Sequence, residues 1–435
     1  MNERRFVAIV FVSYAALTLF TALHHERWRD EADVWLLMRD GGFGTMFART
    51  GYVGSPALWY LLVGVLVKLG LPYGSMTILN VVIAWAAVLL FLIAAPFPRT
   101  LRALFAFSFY PAYEYAVIGR QYALLMLLFF GALAARRNHP MAFAGCLALL
   151  ANTTLHGLIF ALILGALYVR SRAAAAVVLL GCVLAIVQLM PPAGAPAGHV
   201  LRGFDPTNAA IAAGNAFFPR VPVAVGFFAG AAVLLAVVMT TGGLPRTFLL
   251  LAVAALLGVY VFVWFGALRH SGLILLAAIG ALWLQGTAPR IVNAALAIAV
   301  IVGGVTAIQE IRKPFSGARE MAAYLETRGL ASAAIAAHRA TPAAAVLAYL
   351  PPRRFHYAGM ERDGSYMLWD DAQRRGARMS YESAAVLARK RGMPLLLLND
   401  VLPNAERRGY RLLYTTATPF RIHDERFLLY AWEQR

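Results

Sequence analysis

Residues 74–95 read GSMTILNVVIAWAAVLLFLIAA and contain no charged side chain. An α-helix rises about 1.5 Å per residue, so about 20 apolar residues are needed to cross a bilayer. This stretch is therefore long enough to span a membrane. The 435-residue chain as a whole is 61% hydrophobic and only 14% charged, whereas soluble domains average about 45–50% and about 25%. The composition predicts an α-helical polytopic membrane protein.

Ten further stretches share this apolar character, although two or three in the middle of the chain are short for a span. The first follows a basic start and precedes no small-residue cleavage site, which favours a membrane helix over a cleaved signal peptide. The sequence thus predicts about eleven transmembrane helices, at residues 6–23, 74–95, 101–117, 121–135, 141–154, 155–169, 173–190, 217–240, 247–265, 271–284 and 291–308.

Another apolar stretch, residues 56–69, either spans the membrane or lies on its surface. It is short and begins with Trp59 and Tyr60, which is typical of interfacial helices. If it does not span and the N-terminus lies inside, the arginines at the span ends all fall on one side: Arg4, Arg5, Arg99, Arg102, Arg136, Arg137, Arg170, Arg172, Arg246 and Arg290. This positive-inside pattern predicts a multi-pass protein of the bacterial inner membrane with a cytoplasmic N-terminus.

The C-terminal part of the chain differs in composition. From residue 312 onward the charge density rises, and strand-like runs (334–337, 354–357, 395–398, 410–414 and 427–432) alternate with helix-like stretches (317–326 and 381–390). This pattern predicts a small α/β domain. We therefore expect a transmembrane domain at residues 1–310, with an outer loop at 24–73 that includes surface helices. A soluble α/β domain at 311–435 is expected on the outer, periplasmic face.

Several functional classes fit the sequence poorly. The net charge of +18 could suggest nucleic acid, but much of the arginine excess sits at span ends, where membrane topology needs it. Cys146 and Cys182 lie inside apolar runs and form no disulfide framework. A glycine-rich motif of the nucleotide-binding type is absent from the sequence, which disfavours nucleotide-sugar or ATP-driven chemistry.

Carboxylates crowd into the first outer loop. Glu26, Asp30, Glu31, Asp33 and Asp40 occur there together with His24, His25, Arg27, Arg29 and Arg39. Charge beside a membrane helix is costly unless it is hydrated or paired. One interpretation is a solvated loop with local ion pairs. Because tryptophans and aliphatic residues interleave with the charges, the alternative is a packed amphipathic segment whose carboxylates face a site.

Cations stand at other predicted outer turns. Arg120 follows Glu114 at one pair of spans, and Arg269-His270 stands at another. Each arginine could simply extend to the membrane surface, and His156 and His199 could be structural. Guanidinium groups, however, match the geometry of phosphate. A carboxylate that removes a proton from a hydroxyl, with arginines that stabilise charge growing on a phosphate, would serve glycosyl transfer from a lipid phosphate.

These residues also follow a known pattern. Trp28-Arg29-Asp30-Glu31 with Trp35, followed by 52–60 (YVGSPALWY), resembles the first outer loop of the GT-C superfamily of membrane glycosyltransferases, which includes the protein O-mannosyltransferases and the lipid A aminoarabinose transferase. The resemblance, to a bacterial branch, extends to short motifs in most of the chain: Glu114 with Arg120-x-Tyr122, 152–157 (NTTLHG), Arg269-His270, 314–317 (PFSG), and Gly364-Ser365-Tyr366 with Trp369-Asp370.

The resemblance implies an inverting transfer of a hexosyl or pentosyl group from a polyprenyl-phosphate-linked donor to a glycan, lipid or protein acceptor. The general base falls on Asp30, with Glu31 beside it. Relatives often carry a basic residue before the proline of the surface helix, where this chain has Ser55. We therefore expect the substrate and its phosphate to contact other residues, namely Arg120, Arg269, His270, Glu114, Tyr122, His156, Asp33 and Arg39.

Two points stay open at this stage. Some members of the superfamily use a divalent metal, and Asp30, Asp33 and His24 could hold one, although their spacing is not diagnostic. The alternative function is a multi-span transporter or flippase of an envelope lipid or glycan precursor. Charges are nearly absent from the middles of the predicted spans, and no inverted repeat is visible, which favours the enzyme.

Overall fold

The computed structural model describes residues 2–191, 204–263, 266–367 and 369–433. Helices dominate as far as residue 312. In chain order they are α1 (Glu3–His24), α2 (Arg29–Leu36), α3 (Gly42–Val53), α4 (Leu58–Lys68), α5 (Ser75–Ala94), α6 (Arg99–Phe107), α7 (Tyr122–Ala135), α8 (Pro140–Ala151), α9 (Leu155–Tyr168), α10 (Arg172–Leu189), α11 (Pro206–Phe217), α12 (Val223–Thr240), α13 (Gly243–Phe262), α14 (Leu268–Gln285) and α15 (Arg290–Arg312).

Within the described residues, seven helices are long and apolar enough to cross a membrane: α1, α5, α10, α12, α13, α14 and α15. Each coincides with a predicted span, although residues 264–265, at the end of predicted span 247–265, lie outside the described part. The other four predicted spans fall on shorter helices. α7, α8 and α9 have 14, 12 and 14 residues, so the count of eleven is not confirmed by length.

The predicted span at 101–117 is broken. α6 has nine residues and ends at Phe107, where Ser108 adopts an extended backbone. A π-helical turn, Tyr110–Glu114, follows and contains Pro111. Proline has no backbone N–H and disrupts a regular helix, so the apolar run does not continue as one rod. After this interruption, Glu114 meets Arg421 of the later chain and Arg120 meets Asp30 of the first loop.

The helices differ in what surrounds them. α10 and α12 expose large apolar side chains such as Leu180, Phe228 and Met239, as expected of surfaces that face lipid. α14 lies inside the bundle with almost every side chain buried. Gly272 on α14 makes this packing feasible, because a Cβ atom at that position would collide with the Tyr110 ring and the Tyr115 hydroxyl.

The first loop folds back along the bundle as helices. α2 runs into a π-helical turn, Leu37–Gly41, and then into α3 and α4. Gly42 and Gly54 have φ of 72° and 67°, a region that glycine enters without strain, and they reverse the chain at either end of α3. α4 has eleven residues, about 16 Å of helix. That is about half the thickness of the hydrocarbon core.

Residues after α15 form a small sheet with helices, which we call the C-terminal region (residues 313–433). Its elements are α16 (Ala318–Thr327), β1 (Ile335–Ala337), α17 (Ala340–Tyr349), β2 (Phe355–Tyr357), β3 (Arg362–Gly364), α18 (Asp371–Gly376), α19 (Tyr381–Lys390), β4 (Leu395–Leu398), β5 (Tyr410–Thr415) and β6 (Leu428–Trp432). The strand order is β3-β2-β1-β4-β6-β5. The prediction of a small α/β unit is confirmed, and each predicted strand lies within one residue of an observed one.

The sheet is mixed. β1 pairs in parallel with β2 and β4, placing Ala336 opposite His356 and Leu396. β3, β6 and β5 extend it by antiparallel pairing. The crossover helix α17 packs on α2 of the first loop, where the Tyr349 hydroxyl donates to the backbone oxygen of Arg27 at 3.2 Å. The C-terminal region therefore sits directly on the loop that carries the candidate carboxylates.

We expect Gly272→Ala to lower the stability of the folded protein, because α14 cannot move away from the Tyr110 ring and the Tyr115 hydroxyl without opening the bundle core. Overpacking of this kind costs about 1–3 kcal/mol. The measurement is the thermal midpoint of the detergent-purified protein. Gly304→Ala is the matched control, since a Cβ atom there meets nothing within 4 Å. Equal midpoints for the two variants would contradict the packing argument.

Candidate active site

Asp30 meets two arginines at one end of the bundle. It lies in the first turn of α2, which begins after the extended residue Trp28. Arg269, in the first turn of α14, donates from Nη2 to Asp30 Oδ2 at 2.7 Å. Arg120, just before α7, has its Nη1 atom 4.0 Å from the same carboxylate oxygen and donates to the Asp30 backbone oxygen at 2.5 Å. Three distant segments thus converge on one carboxylate.

The charges at this point do not cancel. Two guanidinium groups face one carboxylate, and the Nε atoms of Arg120 and Arg269 have no hydrogen-bond partner. Burial alone would raise the pKa of Asp30, but Arg269, Arg120 and Arg29 outweigh it and hold that pKa below its ordinary value. Asp30 is therefore an anion at neutral pH, in a cluster with spare positive charge and unused donors that suit an additional anion.

Glu31, the neighbour of Asp30, is held on all sides. Its carboxylate accepts hydrogen bonds from the backbone N–H groups of Trp28 at 3.2 Å and Gly119 at 2.8 Å, and it contacts His25 Nε2 at 2.9 Å. A Cβ atom at position 119 would stand only 2.8 Å from Glu31 Oε1, so a larger residue there would displace the Glu31 carboxylate. Because Gly119 precedes Arg120, Glu31 positions the arginine that faces Asp30.

His25 joins two buried carboxylates. Its Nδ1 atom lies 2.9 Å from Glu310 Oε1, and the side chains of His25, Glu31 and Glu310 are all 0% exposed. Tyr113 donates its hydroxyl to the other oxygen of Glu310. Burial alone would lower the pKa of His25, but Glu31 and Glu310 outweigh it and raise it to about 10. His25 is therefore a cation between two anions at neutral pH.

His270 and Tyr122 lie just inside the bundle from Arg269. The Tyr122 hydroxyl is 2.8 Å from His270 Nε2, and the backbone N–H of Ala267 donates to His270 Nδ1 at 2.7 Å. His156 faces His270 with ring centroids 5.2 Å apart, and neither of its ring nitrogens has a hydrogen-bond partner. This aromatic group extends the site from the arginines towards the bundle interior. His199 lies outside the described residues.

Glu114 does not pair with the cations of the membrane part. It accepts a hydrogen bond from Arg421 Nη2 of the C-terminal region at 2.6 Å. Two further anchors join the C-terminal region to the first loop. Arg29 pairs with Asp424 at 2.5 Å, and its backbone N–H donates to Glu425 at 3.1 Å. The C-terminal region therefore packs against the elements that carry the candidate site.

Asp33 lies one turn along α2 from Asp30. Its Oδ2 atom accepts a hydrogen bond of 3.4 Å from Nε1 of Trp369, whereas its Oδ1 atom has no partner. Burial raises the pKa of Asp33, and Arg49 opposes this only in part. Trp369 has a φ of 55°, a conformation that non-glycine residues adopt at some energetic cost and that is found preferentially at functional sites.

Two of the sequence candidates lie elsewhere. Arg39 forms two hydrogen bonds with Asp40 at 2.8 and 3.1 Å and donates to the Leu350 backbone oxygen at 3.0 Å, so it clamps the end of α17. His24 is exposed and bonds to the Phe20 backbone oxygen at 2.8 Å. Within the described residues, no three His, Cys, Asp or Glu side chains form a group that could hold a metal ion.

Sequence reasoning missed several residues around this site. In the sequence, His25 stood out only as one of the charges of the first outer loop, and Glu310 only as the start of the C-terminal tail. Nothing in the sequence pointed to Arg421. Arg49 was equally inconspicuous in the sequence, yet it is buried beside Asp33. Trp369 did carry a signal, since it belongs to one of the motifs of the resemblance.

We expect His25→Gln to destabilise the protein by about 3–5 kcal/mol, because it removes the cation from a buried ion group. The folded-state pKa of His25 is raised from 6.5 to about 10. Its stabilisation is therefore fully present below about pH 6.5 and is lost progressively as the pH rises through about 10. Thermal midpoints of wild type and variant at several pH values should converge at alkaline pH. His24→Gln is the control, and a gap that is independent of pH would contradict this assignment.

Comparisons with known proteins leave the family open. No family model matches the sequence, and no curated protein matches it. Among solved structures, the chain is similar to the arabinofuranosyltransferase AftD from Mycobacteria, which was determined by single-particle cryo-EM, with 13% sequence identity and a TM-score of 0.34. The similarity covers 100% of this chain and 40% of that one, so the chain spans less than half the length of AftD. A likeness at this level carries no argument about fold or activity.

Proposed function

We propose that this chain is a membrane glycosyltransferase of the GT-C type. It transfers a sugar from a polyprenyl-phosphate-linked donor to a glycan, lipid or protein acceptor on the periplasmic face of the inner membrane. The observation that carries the proposal is the meeting of the Asp30 carboxylate with Arg269 and Arg120. A base and two phosphate-matching cations are the groups that glycosyl transfer from a lipid phosphate needs.

The charge of the cluster suits the donor. Asp30, Arg120 and Arg269 together carry one net positive charge. A sugar-phosphate diester carries one negative charge, and the phosphate gains a second as the glycosidic bond breaks. Guanidinium groups with unused N–H donors stabilise that increase, because their attraction to the phosphate strengthens as its charge grows. Tyr122, His270 and His156 lie inside the bundle beside Arg269, where the sugar or the first part of the carrier would contact them.

Asp30 acts as the general base in this proposal. The acceptor hydroxyl attacks the anomeric carbon from the face opposite the phosphate, its proton passes to Asp30, and the bond from the anomeric carbon to the phosphate oxygen breaks. Configuration at the anomeric carbon is therefore inverted. In the structure Arg269 donates to Oδ2 of Asp30, and in this proposal donor binding draws the arginine towards the phosphate.

The orientation rests on charge at the two ends of the bundle. Arg99 and Arg102 pair with Glu3 at the end away from Asp30, and positive-inside topology assigns that end to the cytoplasm. The Asp30 cluster and the C-terminal region then face the periplasm. Polyprenyl carriers reach such a site laterally from the bilayer, which suits a cluster at the tips of α7 and α14.

A transporter or flippase of an envelope lipid or glycan precursor is the competing function. Such proteins usually place ionisable residues along a pathway through the bilayer. The ionisable cluster described here lies instead at helix tips and in the first loop. This arrangement favours chemistry at one face over passage across the membrane.

We expect Asp30→Asn to lower transfer by at least about a hundredfold, which is the usual contribution of a general base. The assay measures the release of polyprenyl phosphate from a labelled polyprenyl-phosphate sugar in membranes that contain the native acceptors. Asp40→Asn, in the same loop but paired with Arg39, is the control and should leave transfer unchanged. Full transfer by Asp30→Asn would contradict the role of Asp30 as general base. Lipid or solute passage without any transfer would favour the transporter.

A further inference from the structure

Arg49 carries a buried charge without a hydrogen-bond partner. It lies on α3 with only 4% of its surface exposed, and its Nε, Nη1 and Nη2 atoms all lack a hydrogen-bond partner. Among the described residues, it is the side chain with the most unpaired buried nitrogen atoms. Burying an unpaired guanidinium is strongly unfavourable. A ligand that supplies oxygen atoms to Arg49 would therefore bind with a large favourable free energy.

The surroundings of Arg49 come from both parts of the protein. The Arg49 guanidinium carbon lies 5.5 Å from the centre of the Tyr366 ring of the C-terminal region. Asp33 interacts electrostatically with Arg49, Arg120 and Asp30, and Tyr60 lies within reach of the same four charges. We call the space around Arg49, Asp33 and Tyr366 the Arg49 subsite. It adjoins the candidate active site through Asp33.

Asp33 supplies an acceptor to the same space. Its Oδ1 atom is buried and unbonded, while Trp369 donates to its other oxygen. An unsatisfied cationic donor and an unsatisfied acceptor, both buried and close together, match a ligand that offers an oxyanion and a hydroxyl group. Tyrosine and tryptophan add flat apolar surfaces with polar edges. These groups together fit an acidic sugar unit better than an isolated inorganic ion.

The position of the subsite assigns it to the acceptor. Asp30 and Asp33 lie three residues apart on one face of α2. Arg269 donates to Asp30 from the tip of α14, where a lipid-linked phosphate would arrive. Asp33 lies one helical turn further along α2, with Arg49 and Trp369 around it. A general base has to meet the acceptor, and the unpaired groups beside Asp33 are available to hold it.

We infer that Arg49 and Asp33, covered by Tyr366 and Trp369 of the C-terminal region, bind an acidic glycan acceptor. Arg49 holds a carboxylate or phosphate oxyanion of the acceptor, and Asp33 accepts a hydrogen bond from one of its hydroxyl groups. This inference rests on the proposed glycosyl transfer. The C-terminal region thereby completes the acceptor site rather than only shielding it.

The test is a binding measurement on the full-length protein in lipid nanodiscs. The probes are a glucuronate-containing tetrasaccharide, its carboxyl-reduced neutral analogue, a glycerol phosphate trimer and undecaprenyl phosphate. Arg49→Gln is compared with wild type and with Arg411→Gln, an exposed arginine of the C-terminal region that pairs with Glu433. Thermal midpoints establish that each variant is folded, and Arg49→Lys tests whether charge without the planar donor set is enough.

We expect wild type and Arg411→Gln to bind at least one acidic probe more tightly than the neutral tetrasaccharide. Arg49→Gln should weaken that binding by about tenfold to a hundredfold, the range for a charge-assisted hydrogen bond, and leave undecaprenyl phosphate binding unchanged. Equal binding of acidic and neutral probes would overturn the inference. So would loss of undecaprenyl phosphate binding in Arg49→Gln, because Arg49 would then serve the donor.

A separate part of the experiment tests the proposed donor site by itself. Arg269→Gln should weaken undecaprenyl phosphate binding and leave the acidic tetrasaccharide or the glycerol phosphate trimer bound as in wild type. If undecaprenyl phosphate binds wild type and Arg269→Gln equally, the donor site proposed above is wrong. In that case the comparison of acidic with neutral probes still tests acceptor binding at Arg49. The two failures are therefore distinguishable.

Discussion

Burial of charge at one end of an apolar helix bundle is the constraint on which the rest of the structure depends. Glu31, His25 and Glu310 are completely shielded from solvent, where an unpaired charge is strongly unfavourable, so each must meet a partner. The partners belong to the first loop and to the last membrane helix, and their pairing fixes these elements together. Because Asp30 lies on α2, this pairing also fixes the position of Asp30. The hydrogen bond from the Gly119 N–H to Glu31 holds the next residue, Arg120, beside Asp30.

The acidic residues of this end have different roles because their surroundings differ. Asp30 faces arginines that keep it ionised. Glu31 is saturated by hydrogen bonds and serves to position its neighbours. Asp33 is buried with one oxygen unbonded, and Glu114 is committed to Arg421. Residue type alone does not distinguish a base from a structural carboxylate, since environment sets both charge and access.

The C-terminal region contacts the candidate site directly. Its contacts with the first loop include α17 on α2, Asp424 and Glu425 around Arg29, and Trp369 on Asp33. These three contacts fall on the helix that carries Asp30. Displacement of this region would expose the charged cluster to water and weaken every electrostatic interaction within it.

The sequence by itself determined the properties that are local. Apolar runs located the seven helices that, within the described residues, are long and apolar enough to cross a membrane, and short alternating runs located strands. Charges beside apolar runs made Asp30, Arg120 and Arg269 conspicuous. Hydropathy did not register the break at Pro111, so the span count was not settled. Only the tertiary structure decided which charges lose their water: Arg421 pairs with Glu114, 307 positions earlier, and Arg49 is buried by contacts that no neighbouring residue encodes. Burial depends on long-range packing, and a hydrated arginine and a buried one look alike in sequence.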